Sequence, residues 1–244
     1  MARAGNRCVA SDLLRGRAVP PADRADLAAA ASWSQARETL AAELAVSLAV
    51  AAGASLAEPA GIEPAGIPAA AAAGDSGEGP VAAAMAYAGE DAVRFWLARQ
   101  RPKGGTAPDQ RELARQALDN PAYAVRYAHA AAAAVLRWAG YPPGDFRPGL
   151  LAEPAQRALL DALSWLPERV AEAARRERPD VFARYLEALA SRTIDTMSTT
   201  EPTSEMLWLA LAARTALRAG LDLLGIAAPD RILGVLGIRR IRRG

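Results

Sequence analysis

The 244-residue chain is long enough to bury a sizeable core, and its 29 basic and 27 acidic side chains leave it only mildly basic, with a formal net charge of +2. One cysteine, Cys8, and one histidine, His129, exclude an intrachain disulfide framework and a thiolate zinc site. No uninterrupted apolar run reaches the roughly 20 residues that a membrane-spanning helix needs. Ala, Leu and Arg dominate while aromatic residues make up only 5% of the chain, so an all-α fold is the expectation. No metal, cofactor or membrane is expected as a partner.

Residues 1–26 alternate charges with small residues around Pro20 and Pro21, a composition that predicts a poorly ordered N-terminus. The basic start meets Asp12 and Arg15 instead of an apolar core, which argues against a secretory signal and for a cytoplasmic protein. Residues 27–80 read as a short helical region and a linker. Trp33, Ala36, Leu40, Leu44 and Leu48 recur at three- and four-residue spacing between Leu27 and Ala52, the signature of an amphipathic helix. From residue 53 to 80, Glu-Pro and Gly-Ile pairs and the sequence GDSGEGP punctuate rather than pack.

Residues 81–232 read as one helical bundle. Asn120 suits a helix cap, with Pro121 at the first helical position, and the helix reaches Ala139 over about 30 Å at 1.5 Å per residue. Val125, Ala128 and Ala132 share one stripe of it, and the Ala-rich centre permits close approach of a neighbouring helix. Residues 141–149 carry three prolines and must form a loop. In the next helix Leu159, Leu160, Leu163, Leu166 and Val170 form the buried edge and Pro167 predicts a kink. A further helix begins at Arg178-Pro-Asp, a loop is expected from Thr196 to Ser204, and the last helix runs from Met206 to Leu224, ended by Gly225. Residues 233–244 form a basic tail with Arg239, Arg240, Arg242 and Arg243.

Four stretches carry a family resemblance. In DNPAYAVRYAHAAAAAVLRWAG, the residues Asp119, Asn120, Pro121, Val125, Tyr127, Ala128, His129, Ala130, Leu136 and Arg137 fit the pattern that opens the anticodon-binding (DALR-type) helical domain of arginyl-tRNA synthetases. RPDVFARYLEALA, from Arg178, and ALRAGLDLLGIAAPDRI, from Ala216, resemble that domain's last helices and its close. Asp91, Arg94 and Phe95 resemble the segment that follows the family's catalytic domain. The resemblance covers roughly residues 88–232 and implies a helical bundle like the anticodon-binding domain of class I synthetases.

That likeness implies tRNA or a tRNA-like RNA as partner and gives the candidate RNA-binding residues Arg126, Tyr127, Arg137, Arg214, Arg218, Arg239 and Arg240. Arg214 and Arg218 lie four apart on one helix face, a spacing that can follow phosphates or pair with acids on adjacent helices. His129 is expected as a hydrogen-bonded structural histidine, with no catalytic role. Sequences like the HIGH and KMSK signatures of the synthetases' catalytic domain do not occur in the chain. Thr193, Thr196 and Met197 stand where the family usually bears aromatics, and Met206 stands where it bears an arginine. The resemblance therefore implies a stand-alone binding paralogue that does not aminoacylate alone. A protein-interaction subunit on the same scaffold, marked by exposed apolar patches on residues 27–52, and a part acting in trans in arginine-tRNA ligation stay open as alternatives.

Overall fold

The computed structural model describes residues 24–53, 79–101, 107–140, 144–151, 153–198 and 203–232. The expectations for residues 1–23, for most of the linker and for the basic tail lie outside these. The described residues form nine α-helices and no strand: α1 (Trp33–Ala51), α2 (Pro80–Ala88), α3 (Glu90–Arg99), α4 (Gln110–Ala114), α5 (Pro121–Ala139), α6 (Pro154–Ser164), α7 (Leu166–Arg176), α8 (Pro179–Met197) and α9 (Ser204–Leu223).

Local chemistry sets the helix ends. Helix α1 starts six residues after Leu27 because Ser32 caps it, its hydroxyl accepting from the Gln35 N–H at 3.2 Å, while the Gln35 side chain accepts from the Ala31 N–H at 2.9 Å. Asn120 caps α5 by accepting from the Ala122 N–H at 3.1 Å, and its amide nitrogen lies 3.0 Å from the Leu113 carbonyl and 2.7 Å from that of Arg115. One side chain thus starts α5 and holds the end of α4. Pro167 does more than kink its helix. It has no N–H to offer the Leu163 carbonyl, the Trp165 N–H turns to Ala162 at 3.3 Å, and the expected single helix divides into α6 and α7. The loop expected from Thr196 begins later, since α8 continues through Met197. Thr193 and Thr196 are accommodated there by bonding back to the carbonyls of Leu189 and Arg192, both at 2.8 Å.

The core is built around α5, which packs on α8 and α9. Ala128, Ala132, Ala213 and Ala216 are fully buried, so these helices meet nearly backbone to backbone. Between α8 and α9 even an alanine is too large at one point, because a Cβ on Gly220 would collide with the Leu186 side chain. Helix α1 shares this core. Leu40, Leu44 and Leu48 are at most 1% exposed, α1 packs on α7 and α3, and Trp33 meets Trp96 edge to face at 5.4 Å. Burying each such leucine contributes about 1.5–3 kcal/mol, enough to hold α1 in place.

A buried ion pair completes the attachment. Arg94 on α3 is entirely buried, its Nη2 bonded to the Glu43 carboxylate of α1 and its Nε donating to the Leu224 carbonyl at 3.3 Å. Gly225, at φ +67°, lets the chain turn directly over that guanidinium. Residues from three distant parts of the sequence thereby meet at one charge.

Candidate nucleic-acid interface

After Gly225 the chain does not leave the bundle. Residues 226–232 run as a strap in the direction of α5, from the level of Arg126 to that of Arg137. The Ala227 N–H donates to Asp91 Oδ1 at 3.2 Å, the Pro229 carbonyl faces His129 Nδ1 at 3.0 Å, and Arg137 donates to the Asp230 carbonyl at 2.9 Å. The strap thus runs along α5, and every polar contact in this chain of bonds falls on a residue within or beside the sequence stretches that carry the family resemblance.

Each candidate residue now has a place. Arg126 is partly buried and pairs with Asp91 Oδ2 at 3.3 Å, so one carboxylate serves both the strap and this guanidinium. Tyr127 is half-buried and stacks on Tyr123, with ring centroids 5.9 Å apart. Arg137, exposed near the end of α5, and Arg214, on α9, converge on Asp230: Arg214 Nη2 donates to Oδ1 at 3.0 Å and to Oδ2 at 3.1 Å. Arg218 lies one turn on and approaches Asp222 at 3.9 Å, with both side chains largely exposed, a contact that adds little to stability. Arg239 and Arg240 lie outside the described residues. The fold therefore joins Arg137 and Arg214 around one acid and leaves Arg126 and Arg218 on separate partners. Thr193, Thr196 and Met206 are at most 2% exposed and Met197 is partly buried, so none of them stands out on the surface.

His129 is buried with the strap across it, as expected of a structural histidine. Nδ1 is the nitrogen that donates to Pro229, while Nε2 has no hydrogen-bond partner and lies 4.0 Å from Asp230 Oδ1. Burial lowers its pKa, outweighing the opposing pull of the Pro229 carbonyl and Asp230, and Arg214 and Arg218 add to the lowering. The ring is neutral near pH 7. Because the folded state holds the pKa below its unfolded value, the neutral ring's contribution is complete above about pH 6.5 and is lost as the pH falls from there. His129 is the single histidine, so wild-type unfolding free energy is expected to drop below pH 6.5 by at most about 1.4 kcal/mol per pH unit, and a His129→Gln protein is expected to lose that slope. Denaturant titrations at pH 7.5, 6.5 and 5.5 measure it; equal slopes in both proteins would contradict the assignment.

Two features escaped the sequence. Asp230 was legible only as part of the closing motif, although an acid in the otherwise uncharged stretch from residue 223 to 230 is itself a signal that something basic faces it. Phe146 and Trp208 form an exposed edge-to-face pair, centroids 6.5 Å apart, with the Trp208 indole N–H bonded to the Gly144 carbonyl at 2.5 Å. No spacing within one helix reveals that pair, because its members are 62 residues apart.

The family model described as the DALR anticodon binding domain matches residues 125–232, from the first turns of α5 to the end of the strap. That segment is similar to a DALR anticodon-binding domain. The wider chain resembles the arginine–tRNA ligases of Renibacterium salmoninarum, 36% identical over 160 residues, and Kineococcus radiotolerans, 38% identical over 159 residues. These matches cover 60% and 59% of this chain and 29% of each ligase, so the chain spans under a third of the length of the curated relatives it matches. The arginyl-tRNA synthetase of Thermus thermophilus superposes with a TM-score of 0.53 at 26% identity, covering 81% of this chain and 32% of the synthetase. That superposition covers more of the chain than the DALR match does, in keeping with the shared core of α1, α3 and the DALR helices.

Among the described residues no helix is long and apolar enough to cross a membrane.

Proposed function

We propose that this chain is a stand-alone relative of the synthetases' anticodon-binding domain that binds tRNA or a tRNA-like RNA and does not aminoacylate it alone. One observation carries the reading: the DALR match falls on the two helices and the strap that present Arg126, Arg137, Arg214 and Arg218. Arginines in that arrangement suit a phosphate backbone, to which RNA-binding surfaces contribute most of their affinity. The exposed Phe146–Trp208 pair adds a face on which a base can stack. The chain carries neither of the sequence signatures with which the synthetases activate their amino acid, which supports a binding role.

Filter binding against total tRNA at two salt concentrations tests this. A complex at micromolar protein is expected, weakening by roughly an order of magnitude or more between 50 and 200 mM salt if two or more phosphates are neutralised. Absence of any salt-dependent complex at that concentration overturns the reading. The alternative of a protein-interaction subunit called for exposed apolar patches on residues 27–52. Among the described residues there, Val46 is the one large hydrophobic side chain that is exposed, so the patch that alternative looks for is not found on that segment.

A further inference from the structure

We propose that Arg137 and Arg214 form a phosphate site for RNA in which the Asp230 carboxylate sits as an internal stand-in, to be displaced when nucleic acid binds. The inference rests on the RNA-binding reading and adds to it a particular site and an intramolecular competitor.

The geometry is that of anion recognition. Arg214 offers its guanidinium to both oxygens of Asp230, at 3.0 and 3.1 Å from Nη2 with Nε at 3.2 Å from Oδ1, and a phosphodiester presents the same charge and a similar pair of oxygens. Arg137 reaches the same residue from the other helix, bonding the Asp230 carbonyl, and among the described residues no carboxylate is bonded to it. His129 Nε2 lies 4.0 Å from the same carboxylate, but with the ring neutral and its proton on Nδ1 it offers the anion no donor, so the two arginines make the site. Two arginines from two helices thus meet at one acid. Although slight burial pushes the Asp230 carboxyl up, bonding to Arg214 and the charges of Arg214 and Arg137 hold it below the usual range, so it is ionised wherever RNA would compete with it.

Displacement is mechanically simple. The Asp230 and Arg214 side chains are 50% and 33% exposed, and pairs at that exposure stabilise a fold little. The strap keeps separate anchors when the carboxylate leaves, Ala227 on Asp91 and Pro229 on His129. An RNA phosphate can therefore take the carboxylate's place without unfolding the domain.

Asp230→Asn and Arg214→Gln test this against total tRNA and, separately, inorganic phosphate. Removing the internal competitor is expected to tighten tRNA binding roughly three- to tenfold and to steepen the log–log salt slope by about 0.7–0.9, one added phosphate contact. Arg214→Gln is expected to weaken binding by a similar factor, and the double variant to show no gain. In thermal melts, inorganic phosphate is expected to stabilise Asp230→Asn beyond a chloride control of equal ionic strength, and not to do so for the double variant. Wild-type tRNA binding with an unchanged Asp230→Asn affinity and slope overturns the stand-in while leaving RNA binding intact. Failure of both proteins to bind tRNA removes the RNA reading and this site with it. Should Asp230→Asn not fold, undiminished binding by folded Arg214→Gln overturns the proposal by itself.

Discussion

Replacing Glu43 by alanine is expected to lower the unfolding free energy by about 3–5 kcal/mol, because it strands the buried Arg94 guanidinium without its counter-charge. Arg94 has no exposed surface, and among the described residues its Nη1 lacks a hydrogen-bond partner and Glu90, at 3.9 Å, is the only other acid in reach. The Leu224 carbonyl can compensate a fraction of a full charge at most. Replacing both partners with apolar residues, as in Glu43→Leu with Arg94→Met, is expected to recover most of the loss, since desolvating an ion pair costs about as much as its attraction returns. Urea titration of the two single variants and the double variant yields the coupling. A single-variant loss below about 1 kcal/mol would mean that Arg94 finds water or another partner, contrary to its burial.

The second large effect is expected at Gly225. Alanine there must adopt φ +67°, and its Cβ would lie 2.6 Å from Arg94 Nη2 and 3.0 Å from Cζ. Left-handed backbone costs a non-glycine residue about 1 kcal/mol, and displacing the guanidinium from Glu43 brings the total to about 2–4 kcal/mol. The two contributions separate experimentally. In an Arg94→Met background the clash is relieved by a flexible, uncharged side chain, and Gly225→Ala is expected to cost only about 1 kcal/mol there. An equal penalty in both backgrounds would assign the whole effect to the backbone and none to the contact. Urea midpoints of the four proteins decide it.

These two sites also mark what the sequence could and could not say. The helices were legible because their signals are local: Asn120 before Pro121, Gly225 after a long apolar repeat, and the leucine spacing of α1. Boundaries slipped where a weak local preference met a tertiary one, as at Thr196, whose hydroxyl both bonds back along α8 and reaches the Ala155 carbonyl of α6 at 3.3 Å. Of the candidate site, the arginines were legible as residue types on helix faces. Their partners were not, because Asp91 and Asp230 reach them across 35 and 16 residues of chain, and nothing in a linear pattern orders two charges that far apart. Asp91, legible as part of the resembling segment with Arg94 and Phe95, holds the strap as well.

The Arg94 contacts carry one more implication. Glu43 lies 51 positions before this arginine and Leu224 lies 130 after it, so the knot closes only when nearly the whole described chain has emerged and come together. A fragment cut to residues 125–232 would retain every residue of the matched domain yet leave the Leu224 carbonyl and the turn at Gly225 without the cation they close upon. The smallest piece that can be expected to stand by itself is therefore set by where its charges are neutralised, and extends well upstream of the boundary that kinship draws.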